Sequence, residues 1–317
     1  MTQTNTHSYA IECDRLHLAY GFKSVLNDIN LAIPQGAVVG LIGANGSGKS
    51  SLLRCIVGLQ VPQAGEVRIF NTPTLSINDA IRERLGFVAQ AADLFPWLTV
   101  EKHIKMIGQA YPRWQERRAL ELAIRLRLPM TREVNQLSSG DQQKLAVVLA
   151  LAHQPDLIVM DEPVSSLDPM TRRDFMRSLF QDSAFKFDFY SNEDEEFESD
   201  TTSSTQQFQY HPTIIISSHL LSDLERVISH VAFIRDGRIQ LFEEWDNVLA
   251  FIRIIPKTTT PVPQQLCIAE NSQQQIVDIR KIRDAVNNQE TSFINYTAIE
   301  AMPSVNNLDD LFIALNS

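Results

Sequence analysis

The segment Gly43-Ala44-Asn45-Gly46-Ser47-Gly48-Lys49-Ser50 constrains this chain more than any other, because it follows the apolar run 38–42 without a gap. It fits G-x-x-x-x-G-K-[ST], and the strand before it and the helix expected after it are the context that gives the pattern meaning. Glycines let the backbone curl until successive N–H groups converge on phosphate oxygens. A helix beginning near Lys49 turns the positive end of its dipole to the same point. In that geometry Lys49 reaches the β- and γ-phosphates and the Ser50 hydroxyl ligates Mg²⁺. Ser51, one residue further, is grouped with the loop as nucleotide-binding. Strand, glycine loop and helix in this order predict an α/β fold.

A second run, Leu157-Ile158-Val159-Met160-Asp161-Glu162, places paired carboxylates at the end of an apolar strand. Beside a phosphate loop, such a pair supplies what nucleotide hydrolysis needs. Asp161 would hold Mg²⁺ through water, and Glu162 would orient or deprotonate the attacking water. The continuous apolar runs 157–160 and 213–217 read as parallel strands covered on both faces. Residues 231–242 read as a hairpin, with Asp236-Gly237 supplying a type I′ turn. Between 91 and 151 the spacing of Leu120, Ala123, Ile124 and Leu128 is helical, and Pro129 ends that helix. Shorter strands such as 67–70 are set between turns, one of them at Ala64-Gly65.

Length bounds the rest. The 317 residues suit one large domain or two modest ones, and 44% hydrophobic content supports a core. Net charge is −10, which argues against a nucleic-acid partner. Residues 182–200 hold eight acidic side chains against one lysine, so −7 of that charge lies there and only −3 elsewhere. Ser, Thr and Gln follow, and the stretch 182–212 reads as a mobile acidic insertion, either a surface loop or a docking element with Phe185, Phe187, Phe189, Tyr190 and Phe197. No apolar run reaches the roughly 20 residues needed to cross a bilayer. The polar start lacks a secretory signal, and Cys13, Cys55 and Cys267 are too scattered for a metal site. These features predict a cytoplasmic chain. Beyond Pro256 a Thr/Pro/Gln-rich linker is expected, then a small accessory module to 317.

Taken in order, the motifs resemble those of the ATP-binding subunit of an ATP-binding-cassette (ABC) transporter, over roughly residues 11–242. Tyr20 stands where the family stacks an aromatic on adenine, and the phosphate loop follows. Gln90 matches the Q-loop, Leu137-Ser138-Ser139-Gly140-Asp141 the signature, and Asp161-Glu162 the Walker B strand end. Ser165-Ser166-Leu167-Asp168 matches the D-loop, and His219 the switch histidine. The resemblance implies a P-loop NTPase core with a mainly parallel sheet, an N-terminal antiparallel β subdomain and an α-helical subdomain at about 91–150, together spanning 9–243. It implies that two cassettes, as a homodimer or heterodimer, sandwich two ATP molecules. Ser138, Gly140 and Asp168 then approach the partner's nucleotide. His219 holds the γ-phosphate and attacking water, and Gln90 senses Mg²⁺ and the transport subunit. The membrane part is implied to be a separate multispanning permease, received near 93–100, where the apolar residues serve equally well as a buried helix connection. The chain itself would lie at the inner face of the cell membrane.

The signature departs from the family's L-S-G-G-Q at Ser139 and Asp141. Either Asp141 points away and caps the helix that begins near it, or its carboxylate weakens the site and favours a different cassette as partner. The tail 307–315 resembles the C-terminal helix of ABC-2-type exporter ATPases, which favours export. Rival readings are a soluble ABC ATPase that remodels a cytoplasmic complex, and a regulatory binder that holds ATP; the presence of both Glu162 and His219 opposes the latter.

Overall fold

Alternation of buried and exposed positions makes 9–20 and 23–34 a long antiparallel hairpin, β1 (Tyr9–Tyr20) and β2 (Lys23–Pro34). The protein is described by a computed structural model, which covers residues 8–165, 167–180, 211–218, 224–258, 262–271, 273–288 and 296–316. β3 (Val38–Ile42) runs into the glycine loop and α1 (Lys49–Ile56). β4 (Ala64–Ile69) and β5 (Thr72–Pro73) complete an antiparallel sheet of order β2-β1-β4-β5. Ala64-Gly65, expected as a turn, instead opens β4. Gly65 has φ +84°, and a Cβ there would lie 2.3 Å from the Arg15 carbonyl. The register shift beside it marks a bulge, which explains a glycine inside a strand.

The chain continues through α2 (Asp79–Arg82), β6 (Leu85–Val88), α3 (Val100–Gly108), α4 (Glu116–Arg125) and α5 (Ser139–Leu151). Then follow β7 (Leu157–Asp161), α6 (Pro169–Phe180) and β8 (Thr213–Ser218). β9 (His230–Arg235) and β10 (Arg238–Glu244) form the expected hairpin, with positive φ at both Asp236 and Gly237. The second sheet has the order β10-β9-β3-β8-β7-β6 and is parallel except at β10. Strands β7 and β8 are buried at every position. Their period of two divides the core: Leu157, Val159 and Ile215 face α1 and the antiparallel sheet, whereas Ile158, Met160, Ile214 and Ile216 face α5. This is the anticipated P-loop architecture with antiparallel and helical additions.

After α7 (Trp245–Phe251), β11 (Ile252–Pro256), β12 (Cys267–Glu270) and β13 (Gln274–Asp278) form a small antiparallel sheet, β11-β13-β12. α8 (Ile279–Asn287), α9 (Tyr296–Glu300) and α10 (Leu308–Asn316) follow. α10 does not stand apart: Leu308, Leu311, Ala314 and Leu315 join the same core as α5 and Phe233. The acidic stretch 181–210 and His219 lie outside the described residues.

Candidate active site

The phosphate loop sits at the C-terminal end of β3, the central parallel strand, where open α/β sheets place their ligands. Gly46 and Gly48 have φ of +80° and +108°, which glycine adopts without steric cost. A Cβ on Gly43 would lie 2.4 Å from the Ile234 carbonyl and 2.6 Å from Ser47 Oγ. Side chains are excluded there because the loop is wedged against β9. α1 has no acidic residue in its first turn, so its N-terminal field is left unopposed.

Lys49 is 5% exposed. Its Nζ donates to the carbonyls of Gly43 (2.9 Å) and Ala44 (3.2 Å) and lies 3.8 Å from Glu162 Oε1. Burial pushes the ammonium below its ordinary range, and the charges of Glu162 and Asp161 oppose that shift. One cation is thus held between the glycine loop and the end of β7.

Asp161 and Glu162 share an organiser that sequence reasoning missed. The fully buried Ser217 on β8 donates its hydroxyl to Asp161 Oδ1 at 2.6 Å, and its oxygen accepts the Glu162 N–H at 2.9 Å. Glu162 has φ +47°, a conformation costing a non-glycine residue about 1–2 kcal/mol. Ser217 holds it there. The available signal was Ser217-Ser218 ending an otherwise apolar strand, which becomes meaningful only when β8 is known to pair with β7.

The oxygen donors Ser50 and Asp161 fit Mg²⁺, a hard cation that keeps several waters and takes one or two protein oxygens beside substrate phosphates. Among the described residues no three His, Cys, Asp or Glu converge into a cation cage. Ser47 Oγ, buried and without a hydrogen-bond partner, is a further polar group in the loop suited to a phosphate.

Gln90 follows β6, whose Val88 is in register with Met160 on the parallel neighbour β7, so it emerges at the same end of the sheet as Asp161. Gln143, a buried α5 residue also missed in the sequence, donates Nε2 to Ala89 O at 3.0 Å. It ties the Q-loop to the signature helix. Tyr20 is 49% exposed at the hairpin end where it pairs with Lys23. Its hydroxyl donates to Gln60 Oε1 at 3.4 Å.

The signature helix begins at Ser139, two residues ahead of the expected start. Its cap is Ser138, whose Oγ accepts the Asp141 N–H at 3.1 Å. The expectation that Asp141 caps the helix is therefore corrected. Its carboxylate instead meets Lys144 Nζ at 3.0 Å, one turn along, which draws its charge away from the helix end. Gly140 is buried. Asp168 accepts the N–H groups of Met170 and Thr171, both at 3.1 Å, at the start of α6. Its hydrogen bonds with Thr171 hold its carboxyl below the usual range.

A family profile described as ABC transporter matches residues 26–165. The methionine import ATP-binding protein MetN of Protochlamydia amoebophila is 34% identical over 72% of this chain, and the match spans 62% of that protein. The ergothioneine transport ATP-binding protein EgtV of Helicobacter pylori is 32% identical over 59% of this chain and 91% of its own. Among solved structures, a dimeric post-hydrolysis state of the ATP-binding cassette MJ0796 bound to ADP and Pi superposes with a TM-score of 0.59. It shares 26% identity over 74% of this chain and 98% of that one. The fold and site define an ABC-type nucleotide hydrolase. The chain belongs to the ATP-binding subunits of ABC transporters, a family of ATPases.

Proposed function

We propose that this chain binds and hydrolyses ATP to drive a separate membrane permease, working as a pair of cassettes in the direction of export. The observation that carries the reading is the convergence of Lys49, Glu162 and the Ser217-held Asp161 at the mouth of the glycine loop. Lys49 and the loop N–H groups bind the β- and γ-phosphates, with Tyr20 against the base. Ser50 and Asp161, with Gln90, hold Mg²⁺, which neutralises charge developing on the phosphates. Glu162 takes the proton of the attacking water. His219 holds the γ-phosphate. Ala44, Asn45, Gly46 and Gly48 each carry a backbone N–H that can serve as a phosphate donor, whereas the Ser47 N–H is donated to Ala44 O at 3.1 Å and Ser47 offers its Oγ instead.

Neither subunit completes the site alone in this reading. Ser138, Gly140 and Asp168 reach the partner's nucleotide; Ser138 uses its oxygen as a cap, which leaves its O–H free to donate outward. Permease docking near 93–100 is supported by the exposed Phe95 and Trp97, whose rings lie 5.6 Å apart. No helix among the described residues is long and apolar enough to cross a membrane, consistent with a separate permease and a peripheral position at the membrane's inner face. Export is supported by the resemblance of residues 307–315 to the C-terminal helix of ABC-2-type exporter ATPases, a stretch that is helical here from Leu308 to Asn316. The methionine import relative favours the opposite direction, so transport by vesicles carrying the assembled complex decides it.

Glu162→Gln should retain ATP binding, abolish hydrolysis and yield an ATP-dependent dimer on size exclusion. A variant that binds ATP and stays monomeric would count against the sandwich. Co-purification with a multispanning membrane protein is expected; recovery with soluble partners alone would favour a soluble remodelling ATPase.

A further inference from the structure

The end of β9 and its turn into β10 press on the phosphate loop at two points. The Ile234 carbonyl occupies the space beside Gly43, and the Gly237 N–H donates to the Ser47 carbonyl at 3.1 Å. The turn is locked in place from β2. Asn27 N–H donates to Gly237 O at 2.8 Å and Asn27 Nδ2 to Asp236 O at 3.1 Å. A Cβ on Gly237 would lie 2.3 Å from the Val25 carbonyl, and one on Gly48 would lie 2.8 Å from the same oxygen. Loop, turn and β2 therefore meet with no room between them.

Arg235 lies between Ile234 and Asp236. Its Nη1 donates to Leu315 O, at 2.6 Å, in the last turn of α10. Carbonyls there have no partner within the helix, and a cation also suits that end of the dipole. At the other end of α10, the Glu225 carboxyl faces Leu308, Asp309 and Asp310, and burial together with the two aspartates raises it above its usual range. The C-terminal turn of α10 is thus held by Arg235, one residue ahead of the turn under the phosphate loop.

We propose that Arg235 is a positioning residue for nucleotide binding: by fastening α10 to the end of β9, it keeps Ile234 and Gly237 in place and holds the glycine loop in its phosphate-binding curl. The C-terminal helix, distant in sequence from 43–50, thereby helps set the affinity for ATP. This rests on the assignment of that loop as the triphosphate site. A loop that occupies its competent shape only part of the time binds more weakly by that fraction. A population falling to between a third and a tenth weakens binding about three- to tenfold.

The test compares full-length variants by the Kd of a fluorescent ATP analogue, by KM and kcat for MgATP, and by Tm. Arg235→Met should raise Kd and KM about three- to tenfold with kcat within about twofold. Arg235→Lys, which keeps a donor near Leu315 O, should recover most of the affinity. Asn27→Ala removes one of the two bonds that hold the turn from its other side, the Nδ2 bond to Asp236 O; it should shift KM in the same direction, and it carries the test if Arg235→Met does not fold. Lys49→Ala serves as the control for the site. If it leaves Kd unchanged, the site assignment fails. If it weakens binding while Arg235→Met and Asn27→Ala do not, the positioning role fails. A fall in kcat at constant KM, or a loss of affinity that only follows a lower Tm and is not rescued by lysine, also overturns it.

Discussion

Ser217 shows how much one buried hydroxyl can determine. It satisfies a carboxylate oxygen of Asp161 and the N–H of Glu162 at once, in a position with no access to water. A hydrogen bond to a charged group contributes about 1.5–3 kcal/mol. In the proposed site its loss would free Asp161 to leave the orientation in which it would hold Mg²⁺, and loss of such an outer partner typically costs 10–100-fold in metal affinity. Ser217→Ala should therefore raise the Mg²⁺ concentration for half-maximal ATPase activity roughly tenfold. Magnesium titration of the purified variant checks this, and an unchanged midpoint would remove Ser217 from the site. The residues with named chemistry, Lys49, Ser50, Asp161 and Glu162, were legible from motif and spacing. Ser217, Gln143 and Asn27 were not, because each acts on a residue 54 or more positions away or, for Asn27, on the turn at 236–237.

At the scale of elements, two helices illustrate opposite degrees of legibility. For α5, the serine before Ser139 is a good N-cap and the apolar run that follows is evident, yet the assignment of the cap depended on which oxygen reaches which N–H. The structure gives that role to Ser138 and sends the Asp141 carboxylate to Lys144. For α10, the pattern of 308–315 shows a helix but not its neighbours. Leu308 and Leu311 are fully buried in the main core beside Phe233, so the helix carries a share of cassette stability. Leu311→Ala should cost about 2–5 kcal/mol through lost burial and the cavity left behind. Urea unfolding of the full chain measures it; a cost below about 1 kcal/mol would mean that α10 is docked only loosely.

Across the whole molecule, stability should depend on pH through histidines buried as neutral rings. Burial pushes His103 and His153 below the ordinary histidine value of 6.5. In the unfolded chain they protonate near 6.5, so there the unfolded state binds more protons and folded stability is lost as pH falls below about 6.5. His103→Phe, which keeps a ring against Phe95, should flatten the decline in Tm between pH 7.5 and 5.5. A slope identical to that of the unaltered chain would exclude His103 as a contributor. By itself the sequence determined the glycine loop, the order of the cassette motifs, the parallel strands and the hairpin at 236–237, because local sterics and the periodicity of burial are written within a few residues. Only the tertiary structure decided that Ser217 orders the carboxylates, that Gly65 belongs to a bulge, and that the last helix reaches the strand under the phosphate loop. Those outcomes depend on which distant backbone groups are left needing a partner once the sheets have closed, and no local pattern records that.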